Sequence, residues 1–407
     1  MSASERKIAY LAPALTALES TFVYDELLGL EKRGWRVLPV SVHRPTRYLV
    51  GHDDLLSRTH YLYEGGSLTS VLRGVVALIG RRKNYKAGTA WFWADVKSVG
   101  WHDGAKLAFQ FLAACRLADL LVRNRCTHLH IHFAHVPTQI GMYGAALAGV
   151  PFTVMAHAND LFERGLLLNT KAQRTKKFLT ISEFNHAYLV SRGVSPSDVA
   201  VVRCGVSFPE RVGKACFESQ GRPRVGTLGR LVEKKGMDVL LRAAARLRSA
   251  GHDFELSIAG DGPLREKLEA MVVSLQLQES VRFLGGLPHS EVRDWMHGLD
   301  VFVLACKPDS QGDMDGIPVV LMEAMSQQVP VVSTRLSGIP ELVIDGQTGL
   351  LAQPGDDEDL AWKLHEMLAS ARTRERLAMA GEQHVRSEFG QDVNLDRLIR
   401  HIERDET

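Results

Sequence analysis

The chain has 407 residues and a mass of 45.1 kDa, 45% apolar and 24% charged. That is the balance of a soluble globular protein of two domains, or three small ones, and it excludes a disordered, collagenous or disulfide-scaffold chain. The net charge is only +2, yet residues 1–200 hold 24 Lys/Arg against 15 Asp/Glu and the remainder 25 against 32. A basic first half is either ordinary scatter or the mark of an anionic partner: a nucleic acid, a phosphorylated acceptor or an anionic lipid surface.

In chain order, polar residues 1–7 run straight into a short apolar strand at 7–11, so no signal peptide is expected. A helix follows at 21–33, closed by Gly34, and a strand at 36–42. Between 71 and 125 lies a basic, aromatic stretch in which Arg81, Arg82, Lys83, Lys86 and Lys97 interleave with Tyr85, Trp91, Phe92, Trp93 and Trp101. Its composition suits a segment resting on a membrane interface, or else a helical insertion whose aromatics pack inward. The longest apolar runs, 71–80 and 107–114, fall well short of the ~20 residues that a membrane span needs.

Four further apolar strands are expected at 129–133, 152–156, 178–181 and 199–203. Pro209, Gly213, Gly221 and Pro223 then break up a polar linker at 207–223. The rhythm restarts with strands at 224–228, 254–259, 281–284, 301–305 and 330–334, and with helices at 237–249 (the turn residue Gly251 behind it) and 264–275. Continuous apolar strands alternating with helices indicate parallel sheets covered on both faces. The reading is therefore α/β: two doubly wound domains, residues 1–208 and 209–387. A last helix at 393–403 leaves open that the stretch from about 388 to 407 packs back on the first domain. The five cysteines, Cys115, Cys126, Cys204, Cys216 and Cys306, are widely spaced and odd in number, which suits free thiols in a reducing cytoplasm.

Several motifs follow strands of the second half. Gly229-Arg-Leu-Val-Glu-Lys-Lys-Gly236 offers Arg230 and Lys235 as two cations suited to a diphosphate. In Asp315-Gly-Ile-Pro-Val-Val-Leu-Met-Glu323, Gly316 and Pro318 are expected to open a helix whose free N–H groups face an anion, with Glu323 about two turns in. Ser337-Gly-Ile-Pro-Glu341 and Asp345-Gly-Gln-Thr-Gly349 are glycine turns that either present N–H groups to a ligand or simply connect elements. His128, His130 and His132 alternate onto one strand face, but with no cysteine or carboxylate nearby in sequence, no metal is expected there. No G-x-G-x-x-G follows 7–11 or 224–228, which disfavours a dinucleotide oxidoreductase.

Together with Ala259-Gly-Asp-Gly-Pro263 and Leu284-Gly-Gly286, these motifs closely resemble, in order and spacing, the nucleotide-sugar-binding domain of retaining GT-B glycosyltransferases of family 4. His130-Ile-His-Phe133, Ala156-His-Ala-Asn-Asp160 and Thr180-Ile-Ser-Glu183 look like acceptor-domain segments of the bacterial exopolysaccharide and colanic-acid-type members. The resemblance covers nearly the whole chain. It implies two facing Rossmann-like domains with an interdomain cleft, and an enzyme that moves a sugar, with retention, from a nucleotide-sugar donor to a saccharide acceptor, expected to be lipid-linked. UDP is favoured over GDP as the carrier. Arg230 and Lys235 match the basic pair on the donor diphosphate, and Glu323 the glutamate on the ribose hydroxyls. Asp315 stands where the family has a first glutamate facing the donor sugar. Gly316, Ile317 and Pro318 would line that site, and backbone at Gly286 and Leu287 would hold the base. His157 matches the histidine that meets the transferred sugar. The catalytic set is thus His157, Arg230, Lys235 and Asp315.

The loop Pro13-Ala-Leu-Thr-Ala-Leu-Glu-Ser-Thr-Phe22 lacks the family's paired glycines, but Glu19, Ser20 and Thr21, with His132, could bind acceptor hydroxyls. No cofactor or metal is required; Asp313-Met-Asp315 spells a D-x-D, but inside the carboxylate element. Nucleic acid is not an expected partner. The expected location is cytoplasmic, peripheral at the inner face of the plasma membrane. A sugar-nucleotide epimerase of the same fold and a non-catalytic nucleotide-sugar-binding partner stay open as alternatives.

Overall fold

The structure, a computed structural model, describes residues 7–15, 21–46, 53–63, 85–162, 165–208, 217–219 and 221–403. Glu19, Ser20, Arg81, Arg82, Lys83, Pro209, Gly213 and Cys216 lie outside the described residues. The chain divides into two compact units: residues 1–181, 185–202 and 394–407, and residues 182–184 and 203–393. The division falls at 202/203 and 393/394, where the sequence suggested 208/209 and 387/388.

The first unit is built on a seven-stranded parallel sheet. Its strands are β1 (Lys7–Ala12), β2 (Arg36–Ser41), β3 (His60–Tyr61), β4 (His128–His132), β5 (Phe152–Ala156), β6 (Lys177–Thr180) and β7 (Val199–Val201), in the order β3-β2-β1-β4-β5-β6-β7. Leu11, Leu129, Ile131, Val154 and Phe178 are fully buried, because helices cover both faces, and this is why the strands read as unbroken apolar runs. The helix Val136–Ala148 starts with proline in its first turn and stops at Gly149, which takes the left-handed conformation that a C-terminal cap favours. The helix Trp101–Arg123 packs on it, with Leu117 against Gly144. The helix Gln391–Glu403 buries Leu395, Leu398 and Ile402. From Asn394 onward it belongs to the first unit: Asp396 pairs with Arg33, and the Ile402 carbonyl accepts from Lys176 Nζ at 2.9 Å.

The second unit has a six-stranded parallel sheet in the order β10-β9-β8-β11-β12-β13. Its strands are β8 (Arg224–Leu228), β9 (Glu255–Ala259), β10 (Val281–Gly285), β11 (Val301–Val303), β12 (Val331–Thr334) and β13 (Leu350–Ala352). The helix Met237–Ser249 spans the expected residues and buries Val239, Leu240, Ala243, Ala244 and Leu247 along one face. β7 and β11 each end two residues early, at Val201 and Val303. β3 and β13, at two and three residues, are too short to show a period and were not foreseen.

Among the described residues no helix is long and apolar enough to cross a membrane. Cys115, Cys126, Cys204 and Cys306 are buried, unbridged thiols.

Candidate active site

In the second unit the strand order turns back between β8 and β11, so the carboxyl ends of these two strands flank a topological switch point, the usual place for a ligand in an open parallel sheet. The loop leaving β8 makes one tight 3-10 turn, Glu233–Lys235, and stops at Gly236 with φ +63°. A Cβ at Gly236 would lie 1.8 Å from the Ala305 carbonyl oxygen, and one at Gly260 (φ +118°) 2.0 Å from the Gly229 oxygen. Glycine lets three strand-end loops meet backbone to backbone here.

Charges gather at that meeting point. Lys235 Nζ lies 2.7 Å from Asp315 Oδ2; Lys234 Nζ lies 2.7 Å from Asp313 Oδ2 and 3.7 Å from Asp315 Oδ1. The Cys306 thiol donates to Asp315 Oδ2 at 3.4 Å. Burial alone would push the Asp315 carboxyl up, but Lys235 overrides it and holds the group below the usual carboxylate range. Burial likewise pulls Lys235 down, and Asp315 reverses that, so the ammonium is kept charged. Arg230 is exposed and has no ion-pair partner among the described residues. Two cations of the basic motif are thus held by two aspartates, while the third faces outward. Lys234 was not singled out in the sequence, although it stands inside the motif beside Lys235.

Gly316 and Pro318, expected to open a helix, stand just before its first turn. Pro318 is extended (φ −67°, ψ 122°) and caps the helix Val319–Ser326, so Gly316 and Ile317 form the buried approach to it. Glu323 stands at the start of the second turn, half-buried. Gly286 is exposed and Leu287 half-buried, just past β10, whose last carbonyl, on Gly285, accepts from Gly260 N–H at 2.7 Å.

Glu341, in the third glycine motif, accepts from the Glu183 and Phe184 N–H groups at 3.0 Å each and from Arg203 at 3.0 Å. Asp345, in the fourth, accepts from Leu351 N–H at 2.9 Å and pairs with Arg335. Both carboxylates serve as structural ties.

In the first unit the switch point lies between β1 and β4. His157, just past β5, is 6% exposed, with its ring packed 4.8 Å from Phe22 and 4.5 Å from Phe133. Its backbone is clamped on both sides. Asp160 accepts from His157 N–H at 3.0 Å and from Ala134 N–H at 2.6 Å, and Asn185 Nδ2 donates to the His157 carbonyl. Burial raises the Asp160 carboxyl to about 6 and lowers the Lys171 ammonium to about 7; Lys171 Nζ donates to the Ala134 and Leu166 carbonyls.

His132, expected to bind acceptor, is buried with both ring nitrogens engaged: Nδ1 is 3.1 Å from His157 Nε2, and Nε2 is 3.1 Å from Glu26 Oε1 and in short contact with Tyr10 Oη. His130 Nε2 also faces Glu26 Oε1, at 3.3 Å. Glu26, on the helix Thr21–Lys32, is the carboxylate that sequence proximity could not supply; more than a hundred residues separate it from His130 and His132. Thr21 is half-buried at the start of that helix.

The basic aromatic stretch divides by side. Trp91 lies under the Arg174 guanidinium (4.8 Å), which is bidentate to Asp95, and Phe92 packs on Phe111 and Tyr143. Trp93 and Trp101, 59% and 87% exposed, point outward, as do Lys86 and Lys97.

Comparison with known proteins shows the family and the fold. Residues 20–208 match the family described as Glycosyltransferase Family 4, and residues 214–384 the family described as Glycosyl transferases group 1. The amylovoran biosynthesis glycosyltransferase AmsK of Erwinia amylovora is 32% identical over 265 residues, 63% of this chain and 65% of that protein. The putative colanic acid biosynthesis glycosyltransferase WcaL of Salmonella typhimurium is 37% identical over 251 residues, 60% and 57%. The chain therefore spans somewhat under two thirds of the length of these relatives. Among solved structures, Anabaena HepE, in complex with UDP and glucose, superposes with a TM-score of 0.71 at 15% identity, over 97% of this chain and 98% of that one. At that identity the likeness establishes the GT-B class of fold, two Rossmann-like domains in one chain.

Proposed function

The chain belongs to the glycosyltransferases built from a family 4 domain and a group 1 domain, and on that premise we propose that it is a retaining enzyme moving a sugar from a nucleotide-sugar donor, UDP-linked in preference to GDP-linked, to a saccharide acceptor in bacterial surface or exopolysaccharide synthesis. The observation that carries the reading is the cation cluster at the β8–β11 switch point: Lys234 and Lys235 are held there by Asp313 and Asp315, with Arg230 exposed on the same loop, where a strand-end crevice would receive a diphosphate. The names of the amylovoran and colanic acid relatives support the pathway, and the UDP in HepE supports the carrier.

Breaking a sugar–phosphate bond leaves charge on the diphosphate. In this reading Arg230 and Lys235 stabilise that charge as it develops, and backbone at Gly316 and Ile317 adds donors. Glu323 takes the ribose hydroxyls, Gly286 and Leu287 hold the base, and Asp315 and His157 hold the sugar. The acceptor hydroxyl attacks from the face the phosphate leaves, and the departing phosphate takes its proton; no side chain acts as nucleophile. Metal has no place in the proposal, because Lys234 and Lys235 already neutralise both carboxylates of the D-x-D. Exposed Trp93 and Trp101 beside Lys86 and Lys97 support peripheral contact with an anionic membrane, and so a lipid-linked acceptor on the cytoplasmic side.

The first test is thermal stabilisation by UDP, GDP and ADP with and without magnesium, since a ligand of the native state raises its melting temperature by mass action. A metal-independent shift with UDP is expected. No shift with any nucleotide at millimolar concentration would sink the donor-site assignment. Transfer from a donor of known anomeric configuration, followed by NMR of the product, separates retention from inversion; epimerised nucleotide sugar, or binding without turnover, would point to the two alternatives.

A further inference from the structure

Glu26, His132 and His157 form a line of hydrogen bonds that begins at a half-buried carboxylate and ends at the histidine assigned to the donor sugar. We propose that Glu26 is a positioning residue, which acts through His132 to fix the tautomer and ring orientation of His157. The inference rests on the proposed role of His157 and extends it to a carboxylate that does not itself touch the sugar.

The order of hydrogens follows from what each atom can do. An ionised carboxylate only accepts. Burial would push the Glu26 carboxyl up, but His132 and His130 reverse this and hold it well below the usual carboxylate range. The contact between Glu26 Oε1 and His132 Nε2, 3.1 Å, therefore needs the hydrogen on Nε2. Tyr10 Oη touches the same nitrogen, yet its single hydrogen has an oxygen to go to, the Val23 carbonyl at 2.8 Å or Glu26 Oε1 at 3.0 Å, so it too receives from Nε2.

In its neutral form His132, with hydrogen on Nε2, accepts at Nδ1, and His157 Nε2, 3.1 Å away, donates to it. In that order of hydrogens His157 carries its lone pair on Nδ1. On the other arm, His130 Nε2 faces Glu26 at 3.3 Å, and Thr153 Oγ1 bridges His130 Nδ1 at 2.7 Å and His128 Nε2 at 2.9 Å. The half-buried Glu26 carboxylate thus faces two histidines and, through His132, reaches a third.

The same three groups, Glu26, His130 and His132, bring their ligand atoms within 4.8 Å of one another, a spacing that a divalent cation could bridge. A metal would need lone pairs on both Nε2 atoms, whereas the hydrogen bond to the Glu26 carboxylate needs a hydrogen on His132 Nε2, so the two arrangements are separable by experiment.

The test uses the full chain with 15N-labelled histidine, and compares wild type, Glu26→Gln and His157→Ala. Long-range 1H–15N spectra should show His132 and His157 carrying hydrogen at Nε2 in the wild type. In Glu26→Gln, whose amide can turn either an oxygen or an NH2 group to His132, both signals should move while His252 and His365 stay fixed. Turnover of UDP-glucose or GDP-mannose should fall roughly tenfold to a hundredfold in kcat, with KM within about twofold of wild type, the pattern of a lost supporting contact.

Unchanged tautomers in Glu26→Gln would overturn the proposal, as would unchanged kcat where His157→Ala is impaired. So would a wild-type spectrum with both Nε2 atoms unprotonated and one equivalent of metal in the purified protein. Should His157→Ala turn over normally, it is the assignment of His157 to the donor sugar that fails; the spectra, which need no substrate, still report whether Glu26 sets the ring.

Discussion

Lys235 Nζ stands 2.7 Å from Asp315 Oδ2, so the cation assigned to the donor's phosphate is held by the carboxylate assigned to the donor's sugar. Removal of either partner should therefore have opposite effects on binding of the nucleotide alone. Lys235→Ala should weaken UDP by the ~1.5–3 kcal/mol of a charged hydrogen bond, roughly tenfold or more. Asp315→Asn releases the ammonium and should leave UDP affinity unchanged or tighter, while transfer from the complete donor falls. Calorimetric titration of both variants checks this, and equal weakening by both would refute it.

Acid should loosen the first unit through His128. Burial, together with His130 and Lys176 nearby, lowers this imidazole from 6.5 to about 3. The unfolded chain binds the proton at a higher pH than the folded one, so the stability from keeping His128 neutral is complete above pH 6.5 and drains away as pH falls toward 3. The slope is about 1.4 kcal/mol per pH unit for one group. His128→Gln should flatten the dependence of the melting temperature between pH 6.5 and 5 relative to wild type. His130 and His157, also lowered by burial, supply the slope that remains.

Membrane contact is testable on side chains that the structure places outward. Trp93→Ala with Trp101→Ala should lower partitioning to vesicles of any charge, whereas Lys86→Gln with Lys97→Gln should lower it on anionic vesicles alone, by about 1 kcal/mol per charge. Trp91→Ala should instead destabilise the protein, because that ring packs under Arg174. Equal partitioning of wild type and all three variants would remove the membrane reading.

Gly236→Ala should be far worse than Gly346→Ala. Both glycines are left-handed, at φ +63° and +72°, but only at Gly236 does a Cβ meet backbone; at Gly346 nothing lies within 4 Å. The first change should cost roughly 2–5 kcal/mol and the second only the ~1–2 kcal/mol of the left-handed backbone. Thermal melts of the two variants give the comparison.

The reach of sequence reading followed the range of the interactions. β8 and the helix Met237–Ser249 have the residues expected of them because glycines and amphipathic spacing punctuate them locally. His157, Lys235 and Asp315 were legible through motif order. The inward turn of Trp91 and Phe92 against the outward turn of Trp93 was not, because a dense aromatic run carries no clear period. Nor was Glu26, whose meaning appears only when a helix near the start of the chain lies across β4. Pro318 misled in a physical way: proline favours the first turn of a helix, but here it stands one residue earlier, extended, as the cap.

The first unit opens with β1 and is completed by residues 394–407, after the whole second unit has been made. Arg33 must wait for Asp396, and Lys176 for the carbonyl of Ile402. During synthesis, then, the second unit has all its residues first, and the first stays unfinished until the helix Gln391–Glu403 emerges. A stop codon near residue 390 would spare most of the second unit yet injure the one translated before it. Anyone isolating the first unit must graft that helix back onto it.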